Sequence, residues 1–300
     1  MHEKKVYPSS SKCGFYGNRL ASLSDLKLKE WKDTYDELEY FSNMYIDFLI
    51  RYKLFPKNYD WPIDSLHNFT RIWEYPYVYH QLSKYLPLNP SVNKRKILDI
   101  GSALTFLPFF LTSKGYQVRA SDKDPTMKQS FEMIKKNLNF PIIIENLDYT
   151  ICDCRKMITE HDLCYDAILC ISVLEHVEQR EQAIREFYRI LKPKGILILT
   201  VDIKLDALSM ALDSDAFFSL KEELCKYFNF LEPDRQIHPL DILKKSNHPK
   251  HLTARAYDIE RLKIKKSILS RLIKKTERLI TGKKYVKDTL TAFGMTLIKK

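Results

Sequence analysis

The chain has 300 residues, 45% of them hydrophobic and 12% aromatic, which is ample for a buried core. Its net charge of +11 is uneven: residues 241–300 hold 17 Lys and Arg against 5 Asp and Glu, while the first 240 hold 32 against 33. No apolar run approaches the roughly 20 residues that span a bilayer, and the six cysteines form no CxxC pair and no zinc-type spacing, so a membrane-spanning protein and a structural zinc site are excluded. The basic start MHEKK is followed by no apolar segment, so no secretory signal is expected. A reduced, cytoplasmic protein without disulfides or metal is the expectation.

Residues 1–24 read as a loose polar arm. Residues 25–92 are rich in aromatics, and Leu38, Phe41, Tyr45 and Phe48 recur at helical spacing. Pro56 and Pro62 break that pattern, a second helix runs over Phe69–Leu86, and Leu86-Pro87-Leu88-Asn89-Pro90 closes a cap of residues 1–93. From Lys94 the texture changes. Strands are expected at Lys96–Ile100, Tyr116–Ser121, Tyr149–Cys152, Tyr165–Ile171 and Ile196–Val201. Helices fall between them at Phe106–Lys114, Asp124–Leu138 and Gln179–Leu191. This alternation argues for right-handed crossovers and a mostly parallel sheet covered on both faces. The expected fold is α/β, a Rossmann-like doubly wound sheet with an N-terminal helical cap. Its core spans 94–203; residues 204–300 add an acceptor-side helical insertion and a final strand at Thr289–Ile298.

Ligands of such sheets bind beyond the carboxyl ends of the strands, at the point where strand order reverses. The residues at those ends form a consistent series. After the first strand comes Asp99-Ile100-Gly101-Ser102-Ala103-Leu104-Thr105, where Gly101 lets backbone approach a ligand. Asp122 ends the second strand, where a carboxylate can accept from both ribose hydroxyls or cap the next helix. Cys152-Asp153-Cys154 follows the third strand, and Ile171-Ser172-Val173-Leu174-Glu175-His176-Val177 the fourth. Leu191-Lys192-Pro193-Lys194-Gly195 reads as a helix stop and tight turn before the fifth.

From Lys94 to about Asp202 this series resembles the class I methyltransferase family, within its branch of small-molecule enzymes related to the quinone and sterol methyltransferases. The resemblance implies S-adenosylmethionine as cofactor. It gives the methionine part to Gly101 with Ser102, the ribose to Asp122 and the adenine to Asp153 with Cys154; Asp99 and Ile171 complete the cofactor set. One departure stands out: the family's loop reads GxGxG, whereas Ala103 and Thr105 replace its second and third glycines here. Arg71-Ile72-Trp73-Glu74-Tyr75-Pro76-Tyr77 is similar to an aromatic EYP segment that precedes the motif in some bacterial members. There a basic residue can meet the methionine carboxylate, and Arg71 is the candidate; an aromatic helix with Arg71 reaching to solvent is the alternative.

His176 and Asp202 are the candidate catalytic residues, both at strand ends taken to face the acceptor. A histidine there suits proton removal from a hydroxyl near neutral pH, although Glu175 and His176 could equally cap the next helix. His238 is a further candidate. The chain lacks the (N/D)PP(Y/F/W) and Pro-Cys motifs of DNA methyltransferases, which disfavours nucleic acid. Residues 261–284 form a basic amphipathic segment that fits a packed surface helix, a peripheral contact at the inner membrane surface or a phosphate backbone. The expected function is methyl transfer to oxygen or nitrogen of a small-molecule or glycan-type acceptor. A non-catalytic binding module and an RNA methyltransferase are the alternatives.

Overall fold

Successive buried side chains of the central strands point to opposite faces of the sheet, and that alternation builds the two layers of the molecule. Ile97, Ala167, Leu169, Ile196 and Ile198 face one way; Leu98, Ile100, Ile168, Cys170, Leu197, Leu199 and Val201 face the other. The computed structural model describes residues 17–56, 59, 61–88, 94–137, 144–157, 159–205, 212–263 and 289–300. In chain order its elements are β1 (Arg19–Leu20), α1 (Lys29–Tyr52), α2 (Arg71–Tyr85), β2 (Lys96–Ile100), α3 (Leu107–Ser113), β3 (Gln117–Asp122) and α4 (Pro125–Asn137). They continue with β4 (Leu147–Ile151), β5 (Tyr165–Ile171), α5 (Arg180–Ile190), β6 (Leu191–Ile203), α6 (Ser214–Tyr227), β7 (Phe228–Phe230), α7 (Ala254–Lys263) and β8 (Thr291–Lys299). The first apolar layer packs against α1 to α4, the second against α5 and α6.

The sheet runs β1-β8-β6-β5-β2-β3-β4, with β7 also on β8. Strands β2 to β6 pair in parallel, while β8 is antiparallel to β6. The chain moves outward from β2 through β3 to β4, then returns to β5 on the other side of β2. The switch point therefore lies at the carboxyl ends of β2 and β5. The α/β fold with a mostly parallel sheet is as the sequence implies.

The cap is not a separate body. Tyr45, Trp73 and Tyr77 belong to the same apolar cluster as the sheet residues Ile97 and Ile198. Helix α2 also continues through Pro76, which has no N–H for the Ile72 carbonyl. The indole Nε1 of Trp31 on α1 donates to that carbonyl at 3.2 Å instead, so the helix need not break.

Two expectations need correction. Residues 17–24 are not a loose arm: Arg19 and Leu20 pair with Gly294 and Phe293, and Arg19 is buried in an ion pair with Asp25. Asp25 also accepts from Trp73 Nε1 at 2.7 Å. A polar stretch with its partners inside the fold has the same composition as one in solvent. Strand β6 also begins at Leu191, earlier than expected, because Leu191 pairs with Tyr165; the turn survives at Lys194, with φ 62°. Of the basic segment 261–284, only the first three residues are described, as the end of α7; the rest lies outside the described residues. No helix among the described residues is long and apolar enough to cross a membrane.

Candidate active site

The parallel register brings Ile100, Ser121, Cys170 and Leu199 level across four neighbouring strands. The loops just beyond them and the segment before α2 enclose a cavity of about 760 Å3, within the range of sites for cofactors and small molecules. Of the expected cofactor residues, Arg71, Asp99, Gly101, Ser102, Asp122, Asp153, Cys154 and Ile171 all line it, and so does His176.

The glycine loop is held from both sides. Ser102 N–H donates to Ser121 O at 2.9 Å, and Ala103 N–H donates to the Asp122 carboxylate at 3.3 Å. From the cap, Tyr45 OH donates to Leu104 O at 3.1 Å, and Tyr59 OH accepts from Leu104 N at 3.4 Å. Gly101 has φ +65°, and a Cβ there would stand 2.6 Å from Val173 Cγ2. Gly101→Ala is therefore expected to lower unfolding free energy by about 1–3 kcal/mol, the usual cost of overpacking. Denaturant unfolding without ligand checks it; an unchanged midpoint would mean that Val173 yields freely. The departure at Ala103 has a structural counterpart: it too is left-handed, with φ +46°. Alanine adopts that conformation at a cost of roughly 1–2 kcal/mol, so the loop takes a left-handed turn at this position without a glycine.

Charges around the cavity are unequally satisfied. Asp153 is held by Arg155, with Nη2 at 2.6 Å and Nε at 3.0 Å, and that hydrogen bonding keeps its carboxyl below the usual range. Asp122 accepts from Asp124 N at 3.0 Å as well as from Ala103. The Asp99 side chain is 2% exposed and has no hydrogen-bond partner among the described residues. Burial pushes its carboxyl up to about 8, with Arg71 pulling it down and Asp122 raising it further. Among the described residues Arg71 makes its hydrogen bonds through Nη1, which donates to Glu74, to Ser172 Oγ at 2.9 Å and to Thr70 Oγ1 at 3.3 Å, while the guanidinium lies 6.0 Å from the centre of the Tyr75 ring. Its Nε and Nη2 have no partner among the described residues. Arg71 thus lines the cavity and is not a solvent-reaching side chain on an aromatic helix.

His176 sits in a short 3-10 turn after β5 and makes no side-chain hydrogen bond among the described residues. Partial burial and the cations Arg71 and Lys123 lower its pKa, so it is neutral at neutral pH. Asp202 does not face the cavity. It lies behind Ser172, at 3.2 Å from Thr70 Oγ1 and 3.5 Å from Ser172 Oγ, and its N–H donates to Glu175 Oε1 at 2.9 Å. Its position follows from strand parity: residues 196, 198, 200 and 202 of β6 share a face, and α2 covers that face. Burial and Glu74 raise its carboxyl to about 6 against the pull of Arg71. His238 also lies off the cavity wall. Sequence reasoning missed the opposite wall, formed by Tyr59, Trp61, Pro62, Ser65 and Asn68, which adjoins Tyr75 of the segment that marks Arg71. It also missed the buried Glu74, although that residue stands in the segment that marks Arg71.

A Rossmann-like sheet with a ligand cavity at its switch point, bounded by an acid at the end of β3 (Asp122) and another after β4 (Asp153), defines a nucleotide-type cofactor site. Residues 98–199 match the family model described as a methyltransferase domain, and the chain carries there a class I, S-adenosylmethionine-dependent methyltransferase domain. Among curated proteins, the mitochondrial ubiquinone biosynthesis O-methyltransferase of Rattus norvegicus is 29% identical over 35% of this chain and 30% of its own length. The ubiquinone biosynthesis O-methyltransferase of Rickettsia typhi is 32% identical over 36% of this chain and 42% of its own. The chain thus spans less than half the length of these relatives. Among solved structures, the cyclase SpnF superposes with a TM-score of 0.52 at 17% identity, over 74% of this chain and 79% of that one, a likeness of fold.

Proposed function

We propose that the protein transfers the methyl group of S-adenosylmethionine to the oxygen of a small hydroxylated acceptor. The observation that carries this reading is the meeting of Arg71, Asp99, Asp122 and Asp153 around one cavity at the strand ends of the matched segment. The residues fit the cofactor. Asp122 has acceptor capacity for ribose hydroxyls, and the Gly101 turn leaves room for close backbone approach. The unpartnered Asp99 carboxyl suits the ammonium, and the free edge of Arg71 suits the carboxylate. Asp153, already shared with Arg155, stands where an adenine amino group would donate. Besides Asp99, four acids (Asp122, Asp124, Asp153, Glu178) against three cations (Arg71, Lys123, Arg155) line the cavity, which favours a cationic ligand.

The cofactor supplies an electrophilic methyl group on a sulfonium. The protein's part is to align the acceptor and to take its proton. Neutral His176 on the cavity wall accepts the proton of an acceptor hydroxyl. Oxygen is favoured over nitrogen because the relatives are O-methyltransferases by name and because a hydroxyl needs a base of this kind. The aromatic wall of Tyr59, Trp61 and Tyr75 favours a planar acceptor over a glycan.

Calorimetry with S-adenosylhomocysteine is expected to give one site. Asp122→Ala should weaken it by roughly 1–3 kcal/mol, the cost of losing charged hydrogen bonds to the ribose. Unchanged affinity in the variant would remove the ribose assignment, and no binding to the unaltered protein would remove the cofactor. A second reading, a cofactor-free module, draws on the left-handed alanine at 103, and that last outcome is the one it expects.

A further inference from the structure

Glu74 lies one turn along α2 from Arg71 and is fully buried. A carboxylate in that position is costly unless every lone pair is met, and here the partners come from three places. Ser172 Oγ, after β5, donates to it at 2.6 Å, and Thr200 Oγ1, on β6, also at 2.6 Å. Thr70 Oγ1 and Arg71 Nη1 complete the set. Burial alone would raise the Glu74 carboxyl; Arg71 and the three hydroxyls outweigh it and hold it low, so it is ionised. Ser172 Oγ closes the circuit by accepting from Arg71 Nη1.

This arrangement uses one nitrogen of the guanidinium and leaves the opposite edge. Nε and Nη2 form the planar pair of N–H groups that matches a carboxylate in two parallel bonds. An arginine on a flexible stem would lose rotamer freedom on binding, and anchoring it beforehand removes that loss. The anchor is set in rigid elements, because Thr200 lies within a central strand and Ser172 at the end of its neighbour. We propose that Glu74 is a positioning residue, which grips Arg71 by Nη1 and so presents Nε and Nη2 to the carboxylate of the cofactor's amino-acid part. The proposal rests on the cofactor reading above.

Two ligands separate this role from a merely structural one. S-adenosylhomocysteine carries the amino-acid part, whereas 5′-methylthioadenosine keeps the adenosine and thioether without it. By calorimetry, Glu74→Gln is expected to weaken S-adenosylhomocysteine about 10- to 100-fold, as for a misdirected charged pair, and 5′-methylthioadenosine less than about twofold. Thr200→Val removes a single hydroxyl from the anchor and lies off the cavity wall. It should act in the same selective direction by about threefold to tenfold, and it keeps the test decisive if the glutamine variant does not fold. In an Arg71→Ala background neither change should weaken S-adenosylhomocysteine further, since both act through the guanidinium. Equal weakening of the two ligands, or full additivity with Arg71→Ala, would overturn the proposal and leave Glu74 as a pin between α2 and the sheet. Absence of binding by the unaltered protein would overturn the cofactor reading itself, a result distinct from either.

Discussion

Replacing His176 by alanine is expected to lower turnover about 10²- to 10⁴-fold, the usual worth of a general base, while S-adenosylhomocysteine still binds. The expectation comes from the side chain's position: it lines the cavity, and no protein group claims either ring nitrogen among the described residues. Its lowered pKa gives the sign of the pH dependence. Only the neutral ring can accept a proton, so activity should stand at its plateau near pH 7 and fall with acidification through a pKa below 6.5. The alanine variant should lose that acid limb along with its rate. Initial rates with a phenolic acceptor, across pH 5 to 8, measure both. A loss below tenfold, with the limb intact, would mean that alignment alone carries the transfer and that His176 only closes the wall. Asp202 provides the contrast, because it touches Thr70 and Ser172 instead of the cavity. Its replacement by asparagine should act through cofactor affinity more than through turnover.

How far these assignments were legible in the sequence depends on the range of the contact involved. Strands β2 and β5 have the ends that their apolar runs suggest, because KILDI and YDAILCI are covered on both faces and need no partner to be recognised. The strand-end residues were legible for a related reason: in a parallel sheet the carboxyl ends converge whatever the side chains do. Parity along β6 could also have placed Asp202 correctly, since it falls on the same face as Ile196 and Ile198. The Glu74 anchor could not be read in this way. Its partners Ser172 and Thr200 are 98 and 126 positions away, and nothing in a local pattern links them. The buried Arg19–Asp25 pair escaped for the same cause, because its burial depends on β8 at the far end of the chain. Tyr59 and Trp61 of the aromatic wall sit between Pro56 and Pro62, where periodicity gives no direction for a side chain.

Cofactor affinity is expected to rise with pH between 6 and 7.5, by up to about tenfold per unit, and the residue responsible is Asp99. In the empty protein its buried carboxyl, pushed up to about 8, keeps its proton at neutral pH. A ligand ammonium beside it favours the carboxylate, so binding must expel that proton, and a higher pH makes the expulsion easier. Calorimetry of S-adenosylhomocysteine in two buffers of different ionisation enthalpy should show close to one proton released near pH 7. Ligand-free stability carries the opposite slope. The folded pKa of Asp99 lies above its unfolded value of 3.8, so the folded state binds the extra proton between about pH 4 and 8. Stability is full below that window and falls as pH rises through it, by at most about 1.4 kcal/mol per unit. Glu175, raised to about 8 by burial and Asp202, and Asp202 itself at about 6 add slopes of the same sign. The comparison with Asp99→Asn isolates the one contribution. That variant should bind the ligand more weakly at pH 7.5, with its affinity flat from pH 6, and should be the more stable protein at pH 8 without ligand. If the variant kept the pH slope of binding, the proton would come from elsewhere and Asp99 would not be the partner of the ammonium.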